Sequence, residues 1–188
     1  MNLVTVKRKE LREIVLEYLN KHNTMTLATV RDNVPWAASV FYANDSFTLY
    51  FISNPNSSLH CQNIARNPRV AITIDEDYPL KAPNDWRKVK GIQMEGIAEM
   101  LTHEEEIYQA VKVYCKKYPF TSVYLKSIFS FPEVVSFLNK LAEKLKFIPD
   151  FAASPGNRFY KVVPTKVWFV DNETSFEKRQ EVILQDNS

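Results

Sequence analysis

The stretch from Thr24 to Ile74 limits the fold more than any other part of this chain. It reads Thr24-Met25-Thr26-Leu27-Ala28-Thr29-Val30, a polar turn, Trp36-Ala37-Ala38-Ser39-Val40-Phe41-Tyr42, a second turn at Asn44-Asp45-Ser46, and then Phe47 to Ser53. A short helical pattern ends at Arg66-Asn67-Pro68, and Val70-Ala71-Ile72-Thr73-Ile74 follows. β-branched and aromatic residues fill the segments, while Asn, Asp, Ser and Pro fill the breaks, so the order is strand, strand, strand, helix, strand. The first breaks are too short for a crossover, so these strands are antiparallel neighbours.

Composition removes several alternatives. A chain of 188 residues is long enough for a real core, and residues 1–188 are expected to form one domain. The net charge is +2 with basic residues scattered rather than clustered, which argues against a nucleic-acid partner. With Gly91, Gly96 and Gly156 as the only glycines, neither a Gly-rich dinucleotide loop nor a P-loop can be written. Cys61 and Cys115 are too few for a disulfide framework and have no metal-ligand spacing. No leader-like run is visible and no segment approaches the apolar length of a membrane span. The expectation is a cytoplasmic protein with no metal site and no membrane partner.

Residues 7–22 have the period of an amphipathic helix, with Leu11, Ile14, Val15, Tyr18 and Leu19 on one stripe covering a barrel end. Pro35 cannot donate to a ladder, so its strand starts at an edge or a bulge. The small residues Ala37, Ala38 and Ser39 leave room either for a flat molecule or for neighbouring side chains. After Ser53, the run Asn54-Pro55-Asn56-Ser57-Ser58 leads into a helix that Asn56 or Ser57 can cap, with Cys61, Ile64 and Ala65 on its buried side. Free N–H groups, two hydroxyls and His60 at that start suit either an anion, phosphate above all, or a plain cap. Residues 75–86 form a polar loop whose Trp86 either shields a ligand or anchors the loop.

Val89 to Leu101 reads as a long strand, with Ile92, Met94, Ala98 and Met100 on one face, Gln93 and Glu95 on the other, and a bulge or close approach at Gly96. Residues 102–156 are helical. Thr102 to Glu105 matches a capping box, and Ile107, Ala110, Val111 and Tyr114 form the stripe of a helix ending before Pro119. Pro132 opens another helix, with Val134, Leu138, Leu141 and Leu145 in register. This region is a lid, a dimer element or added core. Residues 157–172 are expected to form a closing hairpin around Pro164-Thr165, followed by a polar tail over 173–188.

In this order the elements resemble the FMN-binding split barrel of the pyridoxamine 5'-phosphate oxidase-like superfamily. The matching residues are Thr26-Leu27-Ala28-Thr29, the hairpin with Pro35, Tyr50 to Ser53, Ser58 to Ile64, Asn67 to Ala71, and Gln93-Met94-Glu95-Gly96. The resemblance implies a mainly β fold: an antiparallel, Greek-key-like split barrel over 24–101 with flanking helices. It also implies a homodimer holding FMN at the subunit interface. The flavin ring would lie along Ala37, Ala38, Ser39, Val40 and Phe41, and its phosphate would meet Ser53, Ser57, Ser58 and His60. His60 stands where the family often has Lys or Arg, so the site lacks that fixed charge. Gln93 would face the flavin across the dimer, and Trp168 would lie near the contact with the second copy. The arginine and aromatic residues with which pyridoxamine phosphate oxidases hold substrate near the C-terminus have no clear match.

The functional expectation is an FMN-dependent oxidoreductase acting on a small molecule, with the protein supplying orientation, hydrogen bonds and a dry pocket. No side-chain acid or base is singled out as catalytic. The alternatives are a non-catalytic flavin or haem carrier or sensor, with His22, His60 and His103 as the available haem ligands, a deazaflavin enzyme on the same barrel, and a barrel with an unrelated partner.

Overall fold

A computed structural model describes residues 3–144, 156–174 and 178–184, with side chains from residue 10 onward. Strands β1 (Thr24–Arg31) and β2 (Val34–Phe41) form a hairpin with Arg31 opposite Val34. The two turn residues, Asp32 and Asn33, have φ of 52° and 62°. Asp and Asn tolerate this left-handed region, and such turns match the twist of the flanking strands. β2 pairs only with β1 and is the sheet's edge, so Pro35 costs no ladder bond.

The remaining strands are β3 (Ala43–Asp45), β4 (Thr48–Ser53), β5 (Arg69–Asp75), β6 (Lys90–Met100), β7 (Arg158–Asp171) and β8 (Arg179–Glu181). All pairings are antiparallel, in the order β2-β1-β5-β6-β7-β4-β3, with β8 also on β7. The two ends of this list are joined through Tyr42, which links β2 to β3. The sheet therefore curls into an antiparallel barrel, split where β2 and β4 approach without a ladder between them. Tyr42 is fully buried at this junction. Its hydroxyl donates to Leu19 O at 2.7 Å, and its carbonyl accepts from the Tyr118 hydroxyl at 2.7 Å.

Alternation along each strand sorts the barrel wall. Leu27, Ile72, Met94 and Val167 share the inner face, where each is buried. Burying one such side chain is worth about 1.5–3 kcal/mol, which makes this interior the main source of stability. Met100, expected on the same face, is instead 41% exposed at the barrel end.

Further expectations are corrected. Residues 157–172 are one 14-residue strand rather than a hairpin. Glu95 faces Lys166 and Gly96 faces Pro164, so Thr165 is the extra residue of a bulge, and its hydroxyl donates to Glu95 O at 3.2 Å. Pro164 sits at that irregularity, where a missing N–H is tolerated. The short strands β3 and β8 lie in stretches that sequence reasoning left as a turn and a tail.

Helix α1 (Leu3–Lys21) lays Val15 and Leu19 on the barrel core, but Ile14 faces solvent at 50% exposure. Helix α2 (Leu59–Ile64) is capped by Ser58 rather than Asn56 or Ser57, and Ala65 is its exposed C-cap. Helix α3 (Glu104–Lys117) starts at an N-cap His103 with no side-chain cap bond, so the expected capping box does not form. Helices α4 (Thr121–Lys126) and α5 (Pro132–Ala142) pack with α3, Leu101 and Phe159 into a second apolar cluster. Leu145 lies outside the described residues. The helical region is thus partly added core. Lys161 ties α3 to β7 through Glu106, at 2.7 Å.

Candidate functional site

Where β2 and β4 diverge, a cleft of about 590 Å³ opens. One wall is the end of β2, Ser39 to Phe41. β4 contributes Ile52 and Ser53, and α2 contributes His60. The opposite wall comes from the helical region: Tyr114 and Tyr118 on α3, and Phe120, Thr121 and Tyr124 at α4. Because β2 is unpaired on its cleft side, its backbone N–H and C=O groups there are free to meet a ligand.

A polar cluster closes one end. Ser53 Oγ donates to Ser58 Oγ at 2.9 Å and lies 2.8 Å from His60 Nε2. With the Ser53 proton on Ser58, Nε2–H of His60 donates to Ser53, and the Ser58 proton remains available to a ligand. His60 is only 8% exposed, and burial lowers its pKa, so the imidazole is neutral near pH 7. The Cys61 thiol next to it is pushed up by burial and stays protonated. Asn63 Nδ2 donates to Thr29 Oγ1 at 3.0 Å, fastening α2 to β1. The loop before α2 closes on itself through Asn54 Oδ1, which accepts from Asn56 N at 2.9 Å.

The structure brings together five of the residues expected at the cofactor: Ser39, Val40, Phe41, Ser53 and His60 line the cleft. Ser58 joins through its bond to Ser53. Ser57 is exposed beside the cluster, while Ala37 and Ala38 lie further along β2, outside the cleft lining. Gln93 and Trp168 are elsewhere. They pair across β6 and β7 on the outer face of the barrel, in the cross-strand row Ser39, Thr26, Thr73, Gln93, Trp168. Among the other histidines, His22 bonds Tyr18 O at 2.8 Å, and His103 is exposed at the start of α3, away from the cleft.

Two features escaped sequence reasoning. Strand β8 carries Arg179 over the Trp168 ring at 5.2 Å, and its Nη1 donates to Gln93 Oε1 at 3.2 Å. Nothing in the polar tail marked it. Tyr114 of α3 fell on an apolar stripe; it is core on one side and cleft wall on the other.

A sequence model of pyridoxamine 5'-phosphate oxidase matches residues 11–171. The chain belongs to the pyridoxamine 5'-phosphate oxidase family. Solved members of this fold overlay it at low identity. A conserved hypothetical protein from Mycobacterium tuberculosis is 17% identical, with 85% of this chain and 84% of that one covered and a TM-score of 0.57. A heme storage protein from Vibrio cholerae is 16% identical, covering 82% and 91%, with a TM-score of 0.53. A FAD-binding protein from Mesorhizobium loti is 18% identical, covering 84% and 90%, with a TM-score of 0.53. These likenesses establish the fold. No curated protein sequence matches the chain.

The family implies a flavin, and this cleft fits one in part. An unpaired strand edge beside an aromatic wall suits a flat ring with a polar edge. At the other end, hydroxyls and a neutral imidazole are hydrogen-bonding partners for phosphate but carry no fixed charge. Arg158 stands opposite Ser53 in the β4–β7 pairing, one strand from the cluster.

Proposed function

We propose that the protein binds FMN in the β2–β4 cleft and acts as an FMN-dependent oxidoreductase on a small molecule. One observation carries this reading: the Ser53–Ser58–His60 cluster and the free edge of β2 border the same cleft. Bound FMN would supply the redox chemistry. The chain's own part is to hold and orient it. Backbone groups of Ser39 to Phe41 meet the ring's polar edge, and the free Ser58 proton and the nearby Ser57 hydroxyl bond the phosphate. Because α2 has only six residues, its dipole adds little, and the side chains carry the phosphate end.

Gln93, Trp168 and Arg179 lie three or more strands from β2 in the sheet and do not line the cleft of their own chain, so in this reading a second copy supplies them and the protein is a homodimer. The small outer row Ala37, Ala28, Ala71 and the exposed Ile97 and Val163 support such a contact. The buried, unpaired thiols Cys61 and Cys115 support a reducing, cytoplasmic setting.

FMN titration of wild type against Ser58→Ala and His60→Ala tests the site. Ser58→Ala is expected to lose roughly ten- to a hundredfold in affinity, the worth of a hydrogen bond to a charged group, and His60→Ala less, because His60 bonds Ser53 and acts on the phosphate only through the hydroxyls. Unchanged affinity in both would remove the phosphate assignment. A non-catalytic flavin or haem carrier is the second reading. It is favoured by the cleft lining, which holds no carboxylate, lysine or arginine among the described residues, and by the FAD-binding and heme storage relatives. The absorbance spectrum of the purified protein separates flavin from haem, and turnover with a chemical reductant separates enzyme from carrier.

A further inference from the structure

The helical wall of the cleft has a polar group with nothing to bond. Tyr118 donates to Tyr42 O at 2.7 Å, Thr121 donates to Tyr118 O at 2.7 Å, and the Tyr124 hydroxyl accepts from Asn157 Nδ2. The hydroxyl of Tyr114, a residue only 6% exposed, makes no hydrogen bond among the described residues. Buried tyrosine hydroxyls ordinarily find a partner. Nor is its oxygen sealed in protein: among the described residues the sealed, unbonded side-chain atoms are Arg12 Nε and Asn44 Oδ1. Tyr114 lines the cleft.

The surroundings of that hydroxyl define what it meets. Tyr114 packs on Tyr118 at 5.0 Å between centroids, Tyr118 on Phe120 at 6.1 Å, and Phe41 on Tyr118 at 6.4 Å, a continuous aromatic surface. No Lys, Arg, Asp or Glu lies in the cleft lining among the described residues. The Ser53–Ser58–His60 cluster offers donors to a phosphate at its own end, but a charged group held against the aromatic wall would be desolvated with neither a counter-charge nor those donors. Burial raises the phenol pKa values of both Tyr114 and Tyr118, so both remain neutral donors.

We infer that the α3–α4 wall binds a neutral, planar aromatic carbonyl compound, its rings against Phe41, Tyr118 and Phe120 and its acceptor oxygen taking the Tyr114 proton. That this ligand is the substrate rests on the flavin reading above; that the wall binds it does not.

Calorimetric titration with menadione and with a sulfonated naphthoquinone tests the inference, on the chain alone and on the chain saturated with FMN. Wild type is expected to bind menadione at least about tenfold tighter than the sulfonate. Tyr114→Phe, which keeps the ring packing, is expected to weaken menadione about three- to tenfold, the range of one neutral hydrogen bond, with an unchanged unfolding midpoint. Equal binding of the two probes, or no effect of the substitution, overturns the inference. If Tyr114→Phe does not fold, methylnaphthalene replaces it: this probe keeps the rings and lacks the carbonyls, and affinity equal to that of menadione overturns the hydrogen bond. Menadione selectivity without FMN binding would refute the flavin reading and leave the pocket standing; FMN binding without menadione selectivity would do the reverse.

Discussion

Lys117 is the residue whose environment is least like its ordinary one. Its Nζ donates to Leu19 O at 3.1 Å and to His22 O, and lies 4.0 Å over the Tyr42 ring, with no carboxylate partner in these contacts. Burial pushes its pKa down to about 8. The unfolded chain therefore holds this proton more tightly than the folded one across roughly pH 8 to 10.4. By itself Lys117 makes folded stability rise with pH over that interval, while burial raises the thiols of Cys61 and Cys115, which oppose the rise from about pH 8.5 upward. The urea stability of wild type relative to Lys117→Met should therefore increase from pH 7.5 to 9.5. Above about pH 10 the tyrosines add to the opposition, because burial raises Tyr18 and Tyr118 to about 12 and these keep their protons only in the folded state.

At the level of elements, the paired strands β6 and β7 show what could and could not be read in advance. Gly96 in a run of alternating residues marked a bulge or close approach, and both occur. A Cβ there would lie 2.9 Å from Val163 O and 3.0 Å from Val162 Cγ1. Gly96→Ala should cost about 1–3 kcal/mol, seen as a lower denaturant midpoint, because rigid strand backbone must move. Gly91→Ala meets Ile74 O at an ordinary 3.4 Å and should be nearly neutral. Pro164-Thr165 misled for a physical reason: the two residues look like a turn, yet one extra residue and one missing N–H are equally the chemistry of a bulge. Strand β8 was unreadable because three residues, Arg-Gln-Glu, carry no alternating pattern and pair only because β7 offers a free edge there. The hairpin at Asp32-Asn33, the edge strand marked by Pro35 and the helix start at Pro132 were legible, since each rests on backbone geometry local to a few residues.

For the whole molecule, the barrel and half of its cleft were legible, and the cleft's far wall was not. β2, Ser53 and His60 follow one another closely in the chain and could be placed by order alone. Tyr114 reaches them only through the packing of α3, which no local pattern encodes. Gln93 and Trp168 were expected at the cofactor and sit on the outer face, and in the proposed reading they act from a second copy. Sedimentation should therefore find a dimer. Ala71→Arg, at one end of the small outer row, should dissociate it and weaken FMN about tenfold or more. A wild-type monomer with intact FMN affinity would exclude a shared site.

The junction at Tyr42 makes a single run of backbone serve both lips of the opening. Anything that wedges the lips apart must bend the chain at that residue, whose hydroxyl is tethered to the last turn of α1 and whose carbonyl is tethered to Tyr118 just past the end of α3. The opening thus has no independent hinge: its width is held by the same screw that fastens the amino-terminal helix.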